Sequence, residues 1–350
     1  MQWWQVACQM PNQEIYAQAV AHQLQLTKPS GALADLEEIA VQLASLQGQV
    51  KPQLTLPWIT IFAGDHGVME EQISAYPQAV TRQMLQNFAN GGVCISVIAN
   101  TYQAKLQVID CGTVGEPYEY VGVERHCILP GTYNFAKTQA MPIDACQVAL
   151  QLGAKSVEQA KSQGASIYVA GEMGIGNTCS AAALACLLLN ESAEKLTGVG
   201  TGINAAQLQR KKNIIEQALA LHRDQVKDNP FLALCAVGGL EVAAMTGAYI
   251  RAAQLGLPVV VDGFISSAAA LTAVRMNPEV RAWMLFGHQS AEYGHQRLLQ
   301  ELQAKPILNL NLRLGEGSGA GAALGVIQLA CHLHNQMATF AQANVIGEKI

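Results

Sequence analysis

The chain has 350 residues, of which 50% are hydrophobic and 13% are charged, and its net charge is −5 at pH 7. This suffices for a large α/β core, alone or with a smaller partner domain, and argues against nucleic acid or an anionic membrane as the main partner. No signal peptide or bilayer-length apolar run is predicted, and the nine cysteines form no Cys-x-x-Cys pair, so we expect a cytoplasmic protein with free thiols.

The order of predicted elements is typical of a doubly wound α/β fold. Residues 1–50 are predicted to be helical, and apolar runs predict strands that are each followed by polar or glycine residues and then a helix. This repeat predicts a Rossmann-like, mostly parallel sheet with helices on both faces. The predicted strands cover residues 56–62, 105–110, 166–170, 258–262, 282–286 and, from alternating leucines, 308–313.

A glycine-rich turn follows the last predicted strand. Glu316 is its one charged residue, with glycines on both sides that would let a ligand approach the backbone. A carboxylate at such a strand–turn–helix junction is a candidate general base. The alternative is a structural turn whose glutamate faces water.

Two earlier glycine turns, at 171–178 and 198–204, also precede helices. The first has the spacing of a Walker A loop, but Asn177 stands where the phosphate-binding lysine should be, which weakens a nucleoside-triphosphatase interpretation. Both turns suit an anion at a helix N-terminus, although either could be purely structural. Lys211 and Lys212 follow, a pair that most often lies on a solvated face.

The remaining polar clusters favour small-molecule chemistry without a metal. Asp65 and His66 come directly after the first predicted strand, where α/β enzymes place functional groups, although a loop-capping pair is the alternative. Asp262 is a single acid after an apolar strand, not the adjacent pair that holds magnesium with a pyrophosphorylated ribose. We therefore predict no metal and no cofactor.

Taken together, the motifs resemble the nicotinate-nucleotide–dimethylbenzimidazole phosphoribosyltransferase family. The resemblance implies a Rossmann-like domain at 51–326, a small helical domain made from 1–50 together with 327–350, and a homodimer. The matching stretches run in the family's order and are KPSGAL (28–33), AGDHGV (63–68), YPQ with VT (76–81), GEMGIGNT (171–178), DGF (262–264), SAE (290–292) and RLGEGSG (313–319).

The resemblance also implies roles for individual residues. Glu316 resembles the family's catalytic base, and Glu172 resembles a supporting active-site acid. Tyr76 and Met84 fall where the family lines its benzimidazole pocket. The other implied substrate contacts are Gly174, Gly176, Asn177, Gly200, Gly202, Lys211, Asp262, Ser290, Arg313 and Gly315.

The implied reaction moves ribose phosphate from nicotinate mononucleotide to a nitrogen of dimethylbenzimidazole, in the synthesis of the cobalamin lower ligand. Departures at Tyr133, Thr138 and Tyr293 fall in substrate loops, so the preferred base stays open. A non-catalytic nucleotide-binding regulator would keep the phosphate turns without needing Glu316. A nicotinamide-dependent oxidoreductase is less consistent, because no early strand leads into a complete Gly-x-Gly-x-x-Gly.

Overall fold

The computed structural model describes residues 2–200 and 202–346. Its centre is a seven-stranded sheet in the order β3-β2-β1-β4-β5-β6-β7, with every neighbouring pair parallel. The prediction of a mostly parallel sheet is therefore confirmed. The strands are β1 Pro57–Gly64, β2 Lys105–Gly112, β3 Val123–Arg125, β4 Ile167–Met173, β5 Val259–Val261, β6 Met284–His288 and β7 Pro306–Leu308.

Helices cover the sheet on both faces. The helix α13 contacts α4 and the strands β6 and β7, whereas α5, α10 and α11 pack together and α10 contacts β1, β2 and β4. Short 3₁₀ helices lie at Trp3–Gln5, Gly67–Glu71 and Pro278–Trp283. The α-helices are α1 Gln13–Gln25, α2 Asp35–Gln47, α3 Ala79–Ala89, α4 Cys94–Thr101, α5 Ile143–Ser162, α6 Asn177–Leu189, α7 Ala193–Leu196, α8 Ala205–Val226, α9 Pro230–Val237, α10 Leu240–Leu255, α11 Phe264–Met276, α12 His295–Glu301, α13 Ser318–Gln336 and α14 Phe340–Ala343.

The strands β1 and β4 form the middle of the sheet and are buried along their whole length. Because helices cover both faces, a central parallel strand has no solvent side, and its sequence is a continuous apolar run without alternation. The strand order reverses between β1 and β4. This reversal opens a crevice at the carboxyl ends of the strands, the usual ligand site of doubly wound sheets.

The prediction of a strand over 308–313 is wrong beyond its first residue. The strand β7 ends at Leu308, and residues 309–315 leave the sheet edge as irregular backbone. Leu310 and Leu314 are more than half exposed, so the alternating leucines do not mark a buried face. The segment stays near the sheet through the Ala291 amide, which donates to the Leu312 carbonyl at 2.9 Å. The short edge strand β3 is not among the predicted strands.

The two ends of the chain contact each other. The helix α1 packs on α2, and α2 packs on α13. His22 Nε2 lies 2.8 Å from the His334 carbonyl oxygen, and Leu26 forms a bridge with Thr339. However, Trp4 stacks on Phe231 of the α/β unit. The division into 1–50 with 327–350 and 51–326 stays a prediction, and residues 347–350 lie outside the described part of the chain.

Candidate active site

A cavity of about 430 Å³ lies at the carboxyl ends of the strands. This volume is within the usual range for small-molecule sites. Its wall is built from the ends of β4, β5 and β6, the segment after β7, and the helix α3. The cavity brings together most of the predicted site residues, namely Tyr76, Met84, Glu172, Gly174, Asn177, Gly200, Asp262, Ser290, Arg313, Gly315 and Glu316.

Three predicted residues do not line the cavity. Gly176 is the N-cap of α6, with φ +102°, and packs against Met69 and His66. Lys211 lies inside α8, behind the wall, where its Nζ donates to Thr178 Oγ1 at 2.8 Å. Gly202 is exposed and has no neighbouring atom within 4 Å of a built Cβ. The residue before it, Thr201, lies outside the described residues.

Glu172 and Glu316 form the acidic end of the cavity. Glu172 sits near the end of β4 and is buried, with Oε2 accepting from Asn177 Nδ2 and Oε1 accepting from the Glu316 backbone N–H at 3.2 Å. Burial raises the pKa of Glu172 well above its usual range, and the charges of Glu241, Asp262 and Glu316 add to the effect, against the opposing Glu316 N–H bond. The surroundings of Glu172 therefore favour its neutral form, and its side chain holds the backbone of Glu316.

The Glu316 side chain lines the cavity and is only 8% exposed. Burial, followed by the charge of Asp262, raises the pKa of Glu316 to about 7. Its backbone has φ +60°, between Gly315 and Gly317, which also have positive φ. A carboxyl group that titrates near neutral pH is well suited to accept a proton from a substrate.

Asp262, directly after β5, anchors the segment that follows Glu316. Its Oδ1 accepts from the Ala320 N–H at 2.7 Å, at the N-terminal end of α13, and lies 3.5 Å from His288 Nε2. Burial raises the pKa of Asp262, although His288 and the backbone N–H groups oppose the shift. Sequence analysis did not select His288; its position at the end of a predicted strand was the available signal.

Another part of the cavity wall, the anionic end, suits an anionic group. The N-terminus of the 13-residue helix α6 opens there, preceded by the turn at Gly174 and followed by Thr178. Free N–H groups at a helix N-terminus attract anions. Burial lowers the pKa of Lys211, whose amino group touches Thr178 from behind. Glu292, which sequence analysis matched only as part of a motif, accepts from the Gly200 N–H at 3.2 Å and so holds the second turn.

His295 fixes Ser290 beside this anionic end. Its Nδ1 accepts from the Ser290 N–H at 2.8 Å, and its Nε2 lies 2.9 Å from Ser267 Oγ. Burial and the nearby His288 lower the pKa of His295 to about 3. The ring is therefore neutral, with Nε2–H donating to Ser267. Sequence analysis missed His295, because its partner Ser267 is 28 residues away.

An apolar wall faces the acidic end. It consists of Val80 and Met84 from α3, with Met173, Ile175 and the half-exposed Tyr76. Thr81 joins α3 to the first glycine turn, because its Oγ1 accepts from the Ile175 N–H at 3.2 Å. Such a wall fits a flat aromatic ring system.

Asp65 and His66 lie below the cavity rather than in its wall. Both are buried; Asp65 accepts from the Val114 N–H at 2.9 Å, and His66 Nε2 lies 2.7 Å from Glu241 Oε1. Asp65 thus caps a loop N–H, as the loop-capping alternative expects, whereas the His66 ring pairs with Glu241. Tyr133, Thr138 and Tyr293, the departures from the family pattern, also do not line the cavity.

Within residues 2–200 and 202–346, no group of three or more His, Cys, Asp or Glu side chains is placed to hold a metal ion. The helices of that part of the chain are too short or too polar to cross a membrane.

Fold and site together indicate an enzyme that handles a phosphorylated ribose, and a phosphoribosyltransferase family model matches residues 8–345. The chain is 55% identical over 343 residues to the nicotinate-nucleotide–dimethylbenzimidazole phosphoribosyltransferase of Pseudomonas putida KT2440, covering 98% of this chain and 97% of that relative. It is 53% identical to the enzyme of that name from Pseudomonas syringae pv. syringae B728a, with the same coverage.

Among solved structures, the crystal structure of CobT from Thermus thermophilus superposes with a TM-score of 0.91 at 41% identity, covering 96% of this chain and 100% of that one. The chain belongs to the nicotinate-nucleotide–dimethylbenzimidazole phosphoribosyltransferase family. Nothing in the comparisons favours a non-catalytic regulator.

Proposed function

We propose that the protein transfers the ribose phosphate of nicotinate mononucleotide to a nitrogen of 5,6-dimethylbenzimidazole, for the cobalamin lower ligand. The products are α-ribazole 5′-phosphate and nicotinate. The observation that carries the proposal is Glu316: a buried carboxyl group with a pKa of about 7, between an anion-binding helix terminus and an apolar wall. The relatives above are named for this reaction.

The nucleotide's 5′-phosphate fits the N-terminus of α6, with Gly174, Gly176 and Thr178 at the turn and Lys211 behind it. Ser290, held by His295, and Gly200 complete this end of the cavity, whereas Gly202, which does not line it, stays a predicted contact. Asn177, Asp262, Arg313 and Gly315 then flank the ribose and the reacting atoms. Binding by fixed groups aligns C1′ with the incoming nitrogen, which is catalysis by positioning.

The chemistry needs one proton acceptor. Nicotinate leaves as a neutral pyridine, so the leaving group needs no general acid. The benzimidazole nitrogen that attacks would become positively charged unless the other ring nitrogen loses its proton, and we assign Glu316 to accept it. Glu172 orients Glu316 through the 3.2 Å backbone bond, and Tyr76 and Met84 hold the benzimidazole. We propose that no metal or cofactor takes part.

The test is to mix the protein with nicotinate mononucleotide, with and without dimethylbenzimidazole, and to measure nicotinate release by chromatography. We expect release only with both substrates, unchanged by dialysis against a chelator. Release without the benzimidazole would indicate a hydrolase. Binding without release would support the regulator instead.

We also propose a homodimer that acts in the cytoplasm. Tyr16, Val20 and Leu24 recur every fourth residue along α1 and are exposed, and such an apolar stripe favours association. The nine cysteines, all within the described residues, form no disulfide, which fits a reducing compartment. Light scattering at micromolar concentration tests the dimer, and a mass of one chain would contradict it.

A further inference from the structure

We propose that the ion pair between His66 and Glu241 is a positioning element of the active site: it supports the nucleotide turn from below and keeps the charge of Glu241 neutralised next to Glu172. Neither residue touches the cavity, so both act through their neighbours. The inference rests on the proposed function, because it concerns the proton acceptor of that reaction.

The pair is fully buried. His66 Nε2 and Glu241 Oε1 are 2.7 Å apart, and both side chains are 0% exposed. Among the described residues, His66 Nδ1 and Glu241 Oε2 have no hydrogen-bond partner. Burying two charges with unsatisfied atoms costs more free energy than burying apolar side chains of the same volume. The pair is therefore poorly explained as a stabilising feature of the fold.

The contacts of His66 reach both walls of the cavity. A Cβ built on Gly174 would lie 3.3 Å from His66 Nε2, and one built on Gly176 would lie 3.3 Å from His66 Cβ. The first glycine turn thus rests directly on the imidazole. In addition, the His66 carbonyl oxygen accepts from Gln78 Nε2 at 3.1 Å, and Gln78 is the N-cap of α3, the helix of the apolar wall.

The charges around the pair explain its second role. Glu241 lies in the first turn of α10, where the helix dipole favours a carboxylate. Burial lowers the pKa of His66, but the charge of Glu241, the hydrogen bond to Glu241 and the charge of Asp65 together outweigh burial and raise the pKa overall. The surroundings therefore favour the protonated imidazole against the Glu241 carboxylate, an arrangement in which the pair has no net charge. Cys111 on β2 also faces Glu241, and burial and that charge raise the pKa of its thiol and keep it protonated.

Glu172 connects the His66–Glu241 pair to Glu316, the proposed proton acceptor. The charge of Glu241 contributes to the raised pKa of Glu172, whose other charged neighbours are Asp262 and Glu316. Because Glu172 and Glu316 interact, their protons come off in steps that belong to the two groups together. If His66 lost its charge, Glu241 would add an uncompensated negative charge below these carboxyl groups, and both would hold their protons to higher pH.

The experiment compares the pH dependence of kcat for nicotinate release in His66→Gln, Glu241→Gln and the double variant. In His66→Gln we expect the acid limb to move up by about one pH unit, as expected for one added charge nearby. In Glu241→Gln the limb should stay near that of the unmodified enzyme, because buried His66 becomes neutral without its partner. The double variant carries no charge at the pair and should restore the limb.

A purely structural role predicts a different pattern, in which the second substitution adds to the damage and no limb moves. His334→Gln is the matched control: a buried histidine on α13, about 24 Å along the helix from Ser318. It should lower thermal stability without moving the limb. An unmoved limb in His66→Gln, or a double variant as shifted as His66→Gln, would overturn the proposal.

If His66→Gln does not fold, nitrogen-15 NMR of labelled histidine in the unmodified enzyme tests the proposal instead. The His66 signals are those that are missing from the spectrum of the double variant. We expect both ring nitrogens of His66 to carry protons at pH 7.5, and a neutral ring would overturn the inference. Failure of the proposed function is distinguishable, because the unmodified enzyme would then release no nicotinate at any pH.

Discussion

The two ends of the cavity are built on opposite principles. At the anionic end, internal hydrogen bonds hold Lys211 behind Thr178 and the Ser290 backbone against His295, beside the N-terminus of α6, which no side chain caps. At the acidic end, the carboxyl groups of Glu172 and Glu316 are buried beside Asp262, whose charge adds to the effect of burial on the pKa of both. The first end can bind without rearrangement. At the second end, burial and the charge of Asp262 raise the pKa of Glu316 to about 7, where the group can accept a proton.

The largest effect is expected from removal of the proton acceptor. Glu316→Gln keeps size and shape but cannot accept a proton, so we expect kcat to fall by roughly 10²–10⁴-fold. The KM for nicotinate mononucleotide should stay within about twofold, because the phosphate contacts lie at the other end. Steady-state nicotinate release measures both values.

The matched control is Glu119→Gln, an exposed glutamate away from the cavity, which should leave both constants unchanged. Near-normal turnover in Glu316→Gln, with release still dependent on benzimidazole, would show that the proton goes elsewhere. Glu172 would then be the next candidate.

Removing the cation from the anionic end should have the converse effect. In Lys211→Met the side chain stays long and apolar, but the charge behind Thr178 is lost. We expect the KM for nicotinate mononucleotide to rise by about 10–100-fold, the usual range for a hydrogen bond to a charged group, with a smaller change in kcat.

The neighbouring residue provides the control for this change. Lys212 pairs with Glu194 at the protein surface at 2.8 Å, so Lys212→Met removes the same charge one residue away from the site. It should leave the KM unchanged. Equal effects in the two variants would show that the general charge of α8 matters, and not the contact with Thr178.

The pH dependence of kcat tests the acidic end of the cavity. Because burial raises the pKa of Glu316 to about 7, the active carboxylate is present above that value and is lost as the pH falls through it. We expect kcat to fall about tenfold per pH unit below this point and to level off above it. The residual rate of Glu316→Gln should lack this limb. A limb near 4.5, the ordinary pKa of a glutamate, would mean that Glu316 is solvated in the working enzyme.

The smallest effect is expected at the apolar wall. Met84→Ala removes part of a half-buried side chain, so the KM for dimethylbenzimidazole should rise about three- to tenfold while the KM for the mononucleotide stays constant. Gln83→Ala, an exposed position on the same helix, is the control. A rise in the mononucleotide KM alone would place the benzimidazole elsewhere.

The central strands and the lone acid of the last turn could be predicted from sequence. A buried parallel strand is a continuous apolar run, so β1 and β4 were visible, and Glu316 was the only charge among clustered glycines. The end of β7 was not predictable. Alternating leucines look the same in a strand and in a segment that leaves the sheet edge, and only the neighbouring strand decides between them.

The supporting residues were hidden because their partners are distant in sequence. The His66–Glu241 pair joins residues 175 positions apart. The role of His288 is visible only from its position beside Asp262 in the folded chain. Lys211 illustrates the limit most clearly. A Lys-Lys pair on a helix usually lies in solvent, yet the packing of α8 against α6 buries the first lysine and leaves the second paired at the surface.

The backbone of Glu316 has an evolutionary consequence. With φ +60°, it occupies a conformation that disfavours a side chain by roughly 1–2 kcal/mol and that glycine accepts readily. Glu316→Gly would therefore relieve strain and produce a more heat-resistant but inactive protein. A selection for thermal tolerance alone would discard the proton acceptor at this position, whereas a screen that also scores turnover would retain it. Improved versions of this enzyme must find their stability elsewhere in the chain.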